Sequence, residues 1–132
     1  MKKDFDLWNQ KKKELDKKFA ENSVFFKEAE VWWVHIGLNI GFETNGKGDE
    51  FTRPALIIKK YNQFSFLAVP LSTSVKIHRY HVSVGSIDGK DAIANLSQIK
   101  NIDSRRLVRK ICTLEKGLFE DIKRKTSQVN FS

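Results

Sequence analysis

The stretch from Pro54 to Leu71 constrains the fold more than any other part of this chain. Pro54 to Tyr61 and Phe64 to Leu71 are two runs rich in branched and aromatic residues, separated by Asn62-Gln63. Runs of that texture joined by a two-residue turn predict an antiparallel hairpin. Pro54 stands at the first strand position, where a missing N–H is tolerated. Further strands are predicted at Val31-Trp32-Trp33-Val34-His35-Ile36, at Tyr80 to Val84, at Ala92 to Leu96 and at Gln98 to Ile102. Residues 37–52 hold four glycines with Asn39, Asn45 and Asp49, and read as a long loop. Asp103 or Ser104 caps a short helical turn, and a final helix starts at Thr113 or Glu115 and buries Leu118, Phe119 and Ile122. At the other end, residues 4–20 read as an amphipathic helix with Phe5, Trp8, Leu15 and Phe19 near one face and Asp4 as its cap. Five or six short strands in mostly sequential order, with helices at the ends, favour a small, partly closed antiparallel barrel over alternating βαβ units.

Composition narrows the function classes. The chain has 132 residues, one cysteine and a net charge of +8. Cys112 alone excludes an internal disulfide framework and a cysteine-rich zinc site, and reads as a small buried apolar side chain. No histidine or cysteine spacing suggests a metal, and no cofactor is expected. No apolar run approaches the length of a membrane span, and the lysine-rich first thirty residues lack the apolar core of a secretory signal. A cytoplasmic protein without a membrane role is therefore expected. The positive excess concentrates in residues 100–125, with nine basic against four acidic side chains. Such a chain attracts polyanions, since basic side chains release counterions from nucleic-acid phosphates.

Three stretches, in order, resemble a known family. They are Glu30-Val31-Trp32-Trp33-Val34 through Gly37 with Asn39-Ile40-Gly41-Phe42-Glu43 and Arg53-Pro54-Ala55-Leu56-Ile57-Ile58, then Val69-Pro70-Leu71-Ser72, then Leu96-Ser97-Gln98-Ile99-Lys100-Asn101-Ile102-Asp103 with Arg106-Leu107. This set is similar to the PemK/MazF family of bacterial toxin endoribonucleases, over roughly residues 26–125. Residues 1–24 then read as an added helical extension and residues 25–132 as the family domain. The resemblance implies an SH3-like β-barrel with helices, usually dimeric. It also implies metal-independent cleavage of single-stranded RNA to 2′,3′-cyclic phosphate and 5′-hydroxyl ends, and neutralisation by a cognate antitoxin.

The resemblance also assigns expected roles. Arg53 falls at the family's Arg-Pro position, where a guanidinium can hold both non-bridging phosphate oxygens. Ser72 falls where a catalytic threonine is usual, so its hydroxyl would orient the 2′-OH or bind phosphate, and Thr73 offers the same group one residue on. Glu43 would act as base or hold Arg53 by an ion pair. Gln98 is expected to bind RNA or to support the fold. Lys76, His78 and Arg79 form a basic stretch expected to meet phosphate, and His78 or His81 could serve as a general base. His35 faces either the core or the groove. Trp32 and Trp33 must point to opposite faces of their strand. One is expected in the core, the other at a dimer contact, on the N-terminal helix or on an RNA base. Arg105, Arg106, Arg109 and Lys110 read as a solvated basic face. Phe42, Thr44 and Ser97 depart from the family's usual residues, so the competing expectation is a barrel that binds RNA or a protein segment without chemistry.

Overall fold

The computed structural model describes residues 4–17, 25–36, 51–73 and 79–131. Along the chain run α1 (Phe5–Asp16), β1 (Glu30–His35), β2 (Thr52–Asn62), β3 (Ser65–Ser72), β4 (His81–Ile87), β5 (Lys90–Asn95), β6 (Lys100–Asp103), β7 (Leu107–Thr113) and α2 (Lys116–Phe131). Single 3₁₀ turns occupy Leu96–Gln98 and Ser104–Arg106. The strands are antiparallel in the order β4-β5-β3-β2-β1-β7, with β6 added on β3, and the sheet curls into a half-barrel.

The hairpin of β2 and β3 is its centre. Its turn sits one residue later than the sequence suggests. Asn62 pairs with Ser65, and the Asn62 side-chain oxygen accepts from the N–H groups of Phe64 and Ser65 at 2.8 and 3.1 Å. An Asn side chain that bonds backbone two and three residues on fixes a turn by itself.

β3 then changes partner. Ser65 to Ala68 pair with β6, whereas Leu71 and Ser72 pair with Ala94 and Ile93 of β5. Val69 and Pro70 lie between these two ladders. Pro70 has no N–H to leave unpaired, which suits the handover.

Two strands differ from the sequence reading. β7 was not anticipated, because Val108, Arg109 and Lys110 are exposed on it and break the apolar pattern. It pairs with β1 from Glu30↔Thr113 to Val34↔Leu107. β4 and β5 are longer than expected and meet at Asp88-Gly89, where φ is 53° and 82°. Two successive left-handed residues make the kind of turn that matches the twist of a hairpin. The stretch read as a strand from Gln98 begins instead as the Leu96–Gln98 turn and continues as β6. Asp103 caps the Ser104–Arg106 turn by accepting from Arg105 N–H at 2.9 Å, one of the two expected caps.

Alternation along the strands divides the core. Val31, Leu56, Val69 and Leu71 pack with Phe119 and Ile122 of α2. Trp32, Val34, Ala55, Ile57, Phe66 and Ala68 pack on the other face. Glu115 receives the N–H groups of Gly117 and Leu118, and Asn130 donates to the Leu96 carbonyl, so α2 is tied at both ends.

α1 has a small core of its own. Trp8 and Leu15 are buried with Phe51, the residue before β2, and the Trp8 and Phe51 rings lie 5.4 Å apart. Phe5, expected on the same face, is 49% exposed in the first turn. Phe19 lies outside the described residues. Arg105 and Arg106 are not a free solvated face. Arg105 pairs with Asp103 and donates to the Asp16 carbonyl, while Arg106 lies over the Trp8 ring and donates to the carbonyls of His35 and Ile36. No helix among the described residues is long and apolar enough to cross a membrane.

Candidate active site

The β2–β3 register determines what meets at the mouth of the half-barrel. Ala55 lies opposite Pro70, and Leu56 opposite Val69. Continued by two residues, this ladder sets Arg53 across from Ser72 on the same face. The Arg53 guanidinium donates to the Leu71 carbonyl at 3.2 Å, one residue before the serine. Burial pushes the Arg53 guanidinium down from its ordinary value. A guanidinium stays cationic nonetheless, so a half-buried charge is held at the edge of the cleft.

Two hollows share this pair. The smaller, about 210 Å³, is walled by Arg53, Ser72, His81, Ile93 and Asn95. The larger, about 410 Å³, lies on the side of the β4–β5 hairpin tip and includes Trp33, Thr73, Ile87, Asp88 and Lys90 with the shared pair. Ser72 is half-buried and lines both, while Thr73 is exposed and lines only the larger. A charge-stabilising donor, a hydroxyl and an imidazole thus border one cleft. A phosphate diester seated there would meet a group for its oxygens, a group for the attacking hydroxyl and a group able to carry a proton.

Other expected residues fall elsewhere. Gln98 sits half-buried in the Leu96–Gln98 turn and lines neither hollow. Arg79, two residues before His81, is exposed, with its guanidinium 4.7 Å over the ring of Tyr80. His35 is buried at the end of β1. Cys112 is half-buried against the α2-side core, and burial pushes its thiol up from the ordinary value. Glu43, Lys76 and His78 lie outside the described residues. Among the described residues no group of His, Cys, Asp and Glu could hold a metal ion.

Trp32 and Trp33 part as neighbours on a strand must. Trp32 is buried and its indole N–H donates to Glu30 at 2.9 Å. Trp33 turns to the larger hollow, where the sequence had left three destinations open. The contribution of the Asp88 turn went unforeseen altogether. The Asp-Gly dipeptide followed by Lys90 was its sequence signal, since that pair favours a tight hairpin turn.

Comparison with known proteins bears on most of the chain. Residues 27–129 match the family described as the PemK-like, MazF-like toxin of type II toxin-antitoxin system. Among curated proteins none matches. MazF (Form-I) from Deinococcus radiodurans superposes with a TM-score of 0.68 at 18% identity, over 80% of this chain and 96% of that one. The Mycobacterium tuberculosis toxin MazF-mt6 gives 0.58 at 13% identity, over 75% and 93%. An endoribonuclease in complex with its cognate antitoxin, from a mycobacterial species, gives 0.60 at 14% identity, over 82% and 98%. At these identities the superpositions establish the fold of the half-barrel.

Proposed function

Because the chain belongs to the PemK-like, MazF-like toxin family of type II toxin-antitoxin systems, we propose that it is an endoribonuclease cutting single-stranded RNA without a metal, to 2′,3′-cyclic phosphate and 5′-hydroxyl ends. The observation that carries this reading is the placement of Arg53 across the ladder from Ser72 in one cleft. Cleavage of this kind breaks the P–O5′ bond as the 2′-oxygen attacks. The 2′-OH loses its proton, the five-coordinate phosphorus carries extra negative charge, and the departing 5′-oxygen gains a proton. Arg53 would bind the non-bridging oxygens and hold them more tightly as their charge grows, which is the property that lowers a barrier. Ser72 would orient the 2′-OH. His81 borders the same hollow and would serve as a proton carrier; Glu43, the acid expected from the sequence, remains the other candidate for that role.

The same kinship supports a cytoplasmic homodimer held in check by an antitoxin. Residues 1–24 would then be an extension added to a family domain spanning 25–132. A metal-free reaction is tested directly. Purified protein is incubated with a defined RNA of mixed sequence in EDTA, beside Arg53→Ala, and the ends are mapped. Discrete cuts with cyclic phosphate ends that vanish in the variant are expected. Retention of RNA with no cuts by a folded wild type would leave an RNA-binding barrel instead.

A further inference from the structure

β2 is entered through a residue in an unusual conformation. Phe51, immediately before Thr52, has a φ of 54°. The left-handed region is uncommon outside glycine, and a bulky side chain there marks backbone strain. Such strain persists only where the surroundings hold it. Phe51 has no part in the chemistry described above. It is 4% exposed, and the buried side chains clustered with it, Trp8 and Leu15, both come from α1. The Trp8 ring is in contact distance, tilted on the Phe51 ring by 56°.

Trp8 is also tied to the neighbouring strand. The Arg106 guanidinium lies 5.5 Å from the Trp8 ring centre and donates to the carbonyls of His35 and Ile36 at 3.2 and 3.5 Å. His35 pairs with Thr52, and Val34 with Arg53. One indole therefore braces both chain segments that meet at the Arg53 end of the β1–β2 ladder, one directly and one through Arg106. α1 lies outside residues 27–129, the part that matches the family, so this brace comes from an added helix.

From this arrangement we propose that α1 is a clamp on the active site: Trp8 holds Phe51 in its left-handed conformation, and so fixes the direction in which β2 starts and the place of Arg53 two residues on. Trp8 and Phe51 are positioning residues, since neither lines the cleft. The proposal rests on the ribonuclease reading and names what sets the rate of that same site. A relaxed Phe51 would swing the first residues of β2. A displacement of about 1 Å at a group that must meet the reacting atoms can cost about a hundredfold in rate. A helix that merely covered apolar surface would have no need of a strained residue beneath it.

The test uses the full chain as wild type, Trp8→Ala, Trp8→Phe, Phe51→Ala and Phe51→Gly. Single-turnover cleavage at saturating protein reads the chemical step. Fluorescence anisotropy with a 2′-O-methyl RNA, which cannot be cut, reads affinity. Trp8→Ala is expected to lose about tenfold or more in rate with affinity within about twofold, the split expected of misplacement rather than lost binding. Trp8→Phe keeps a ring against Phe51 and should retain most of the rate. Phe51→Ala and Phe51→Gly both remove the ring, but glycine takes a positive φ freely. The glycine variant should therefore cut at least about fivefold faster than the alanine variant. Equal rates in those two would overturn the clamp. So would an affinity that falls as far as the rate in Trp8→Ala, which would make α1 an RNA-binding element. The NMR signal of the Arg53 guanidinium N–H, assigned by its loss in Arg53→Lys, is followed in parallel. It should shift or broaden in Trp8→Ala and return in Trp8→Phe, while the amides of α2 keep their positions. An Arg53 signal unmoved by Trp8→Ala would overturn the clamp and leave the ribonuclease standing. A signal that moves as expected in a protein that never cuts would support the clamp and overturn the nuclease.

Discussion

Arg53 reaches across the β2–β3 ladder to the carbonyl of Leu71, at 3.2 Å, and so lies against the residue that precedes Ser72. The bond joins two strand ends at the point where the sheet divides. It also fixes the guanidinium in advance of any substrate, and preorganised charge is what an active site can use.

Replacing Arg53 by Ala is expected to lower single-turnover RNA cleavage by at least about a hundredfold. Arg53→Lys should not restore it, because an ammonium cannot make the paired contacts of a guanidinium. The lost bond to Leu71 should cost about 1 kcal/mol of stability. Cleavage and thermal melting of the same samples separate the two effects, and a variant that cuts at the wild-type rate would remove Arg53 from the site.

Ser72→Ala should reduce cleavage about tenfold to a hundredfold, while Ser72→Thr, which keeps the hydroxyl, should retain most of the rate. RNA affinity should change little in either. A rate equal to wild type in the alanine variant would shift the hydroxyl role to Thr73.

His81→Gln keeps a polar side chain but cannot shuttle a proton. If His81 is the proton carrier, this variant should lose about a hundredfold in rate, and the pH–rate profile should lose one of its limbs. A lowered rate with the profile unchanged in shape would make His81 a positioning residue for phosphate.

Acid stability should depend on Glu30. Burial raises its pKa, but hydrogen bonds from Trp32, the Lys27 N–H and Lys110, with the nearby Lys110 charge, outweigh that and hold it below the ordinary 4.5. A carboxyl with a depressed folded-state pKa stabilises the fold fully above its unfolded value. That stability is lost as pH falls through the folded value. Glu30→Gln should cost about 1–3 kcal/mol at neutral pH and flatten the fall in stability below pH 4.5. Urea titrations at several pH values measure both, and parallel pH curves for the two proteins would exclude Glu30 as the acid-sensitive group.

Trp8→Ala should release α1 from its seat on Phe51. A free helix of twelve residues is marginal in water. Amide exchange across Phe5–Asp16 should therefore speed up while the strands stay protected, as mass spectrometry of exchanged peptides would show. Unchanged protection would mean that Leu15 and the Arg105–Asp16 contact hold the helix without the indole.

How much of this was legible in the sequence depends on what each element exposes. The hairpin of β2 and β3 was readable because its apolar residues are buried on both faces, leaving a long unbroken β signature. β7 was hidden because Arg109 and Lys110 turn outward at the sheet edge and imitate a charged loop. The β4–β5 hairpin was underread although Asp88-Gly89 announced it. Arg53 and Ser72 stood out only through the family resemblance, since nothing local marks an arginine before a proline. Trp32 and Trp33 are chemically identical, so their destinations are set by pairing with β7, whose register shifts on either side of them. That shift is a property of two strands and cannot be read from one.

Around Pro70, β3 passes from one partner strand to another, so the two ends of the sheet meet there. Arg53 is carried by the end that β2 shares with β1, and Ser72 by the end that β3 shares with β5. The β2–β3 pairing reaches only to Ala55 and Pro70, so the curl of the sheet beyond that pair sets how far apart the two side chains stand. A substitution far from both residues that alters the curl of the sheet would open or close the gap between them.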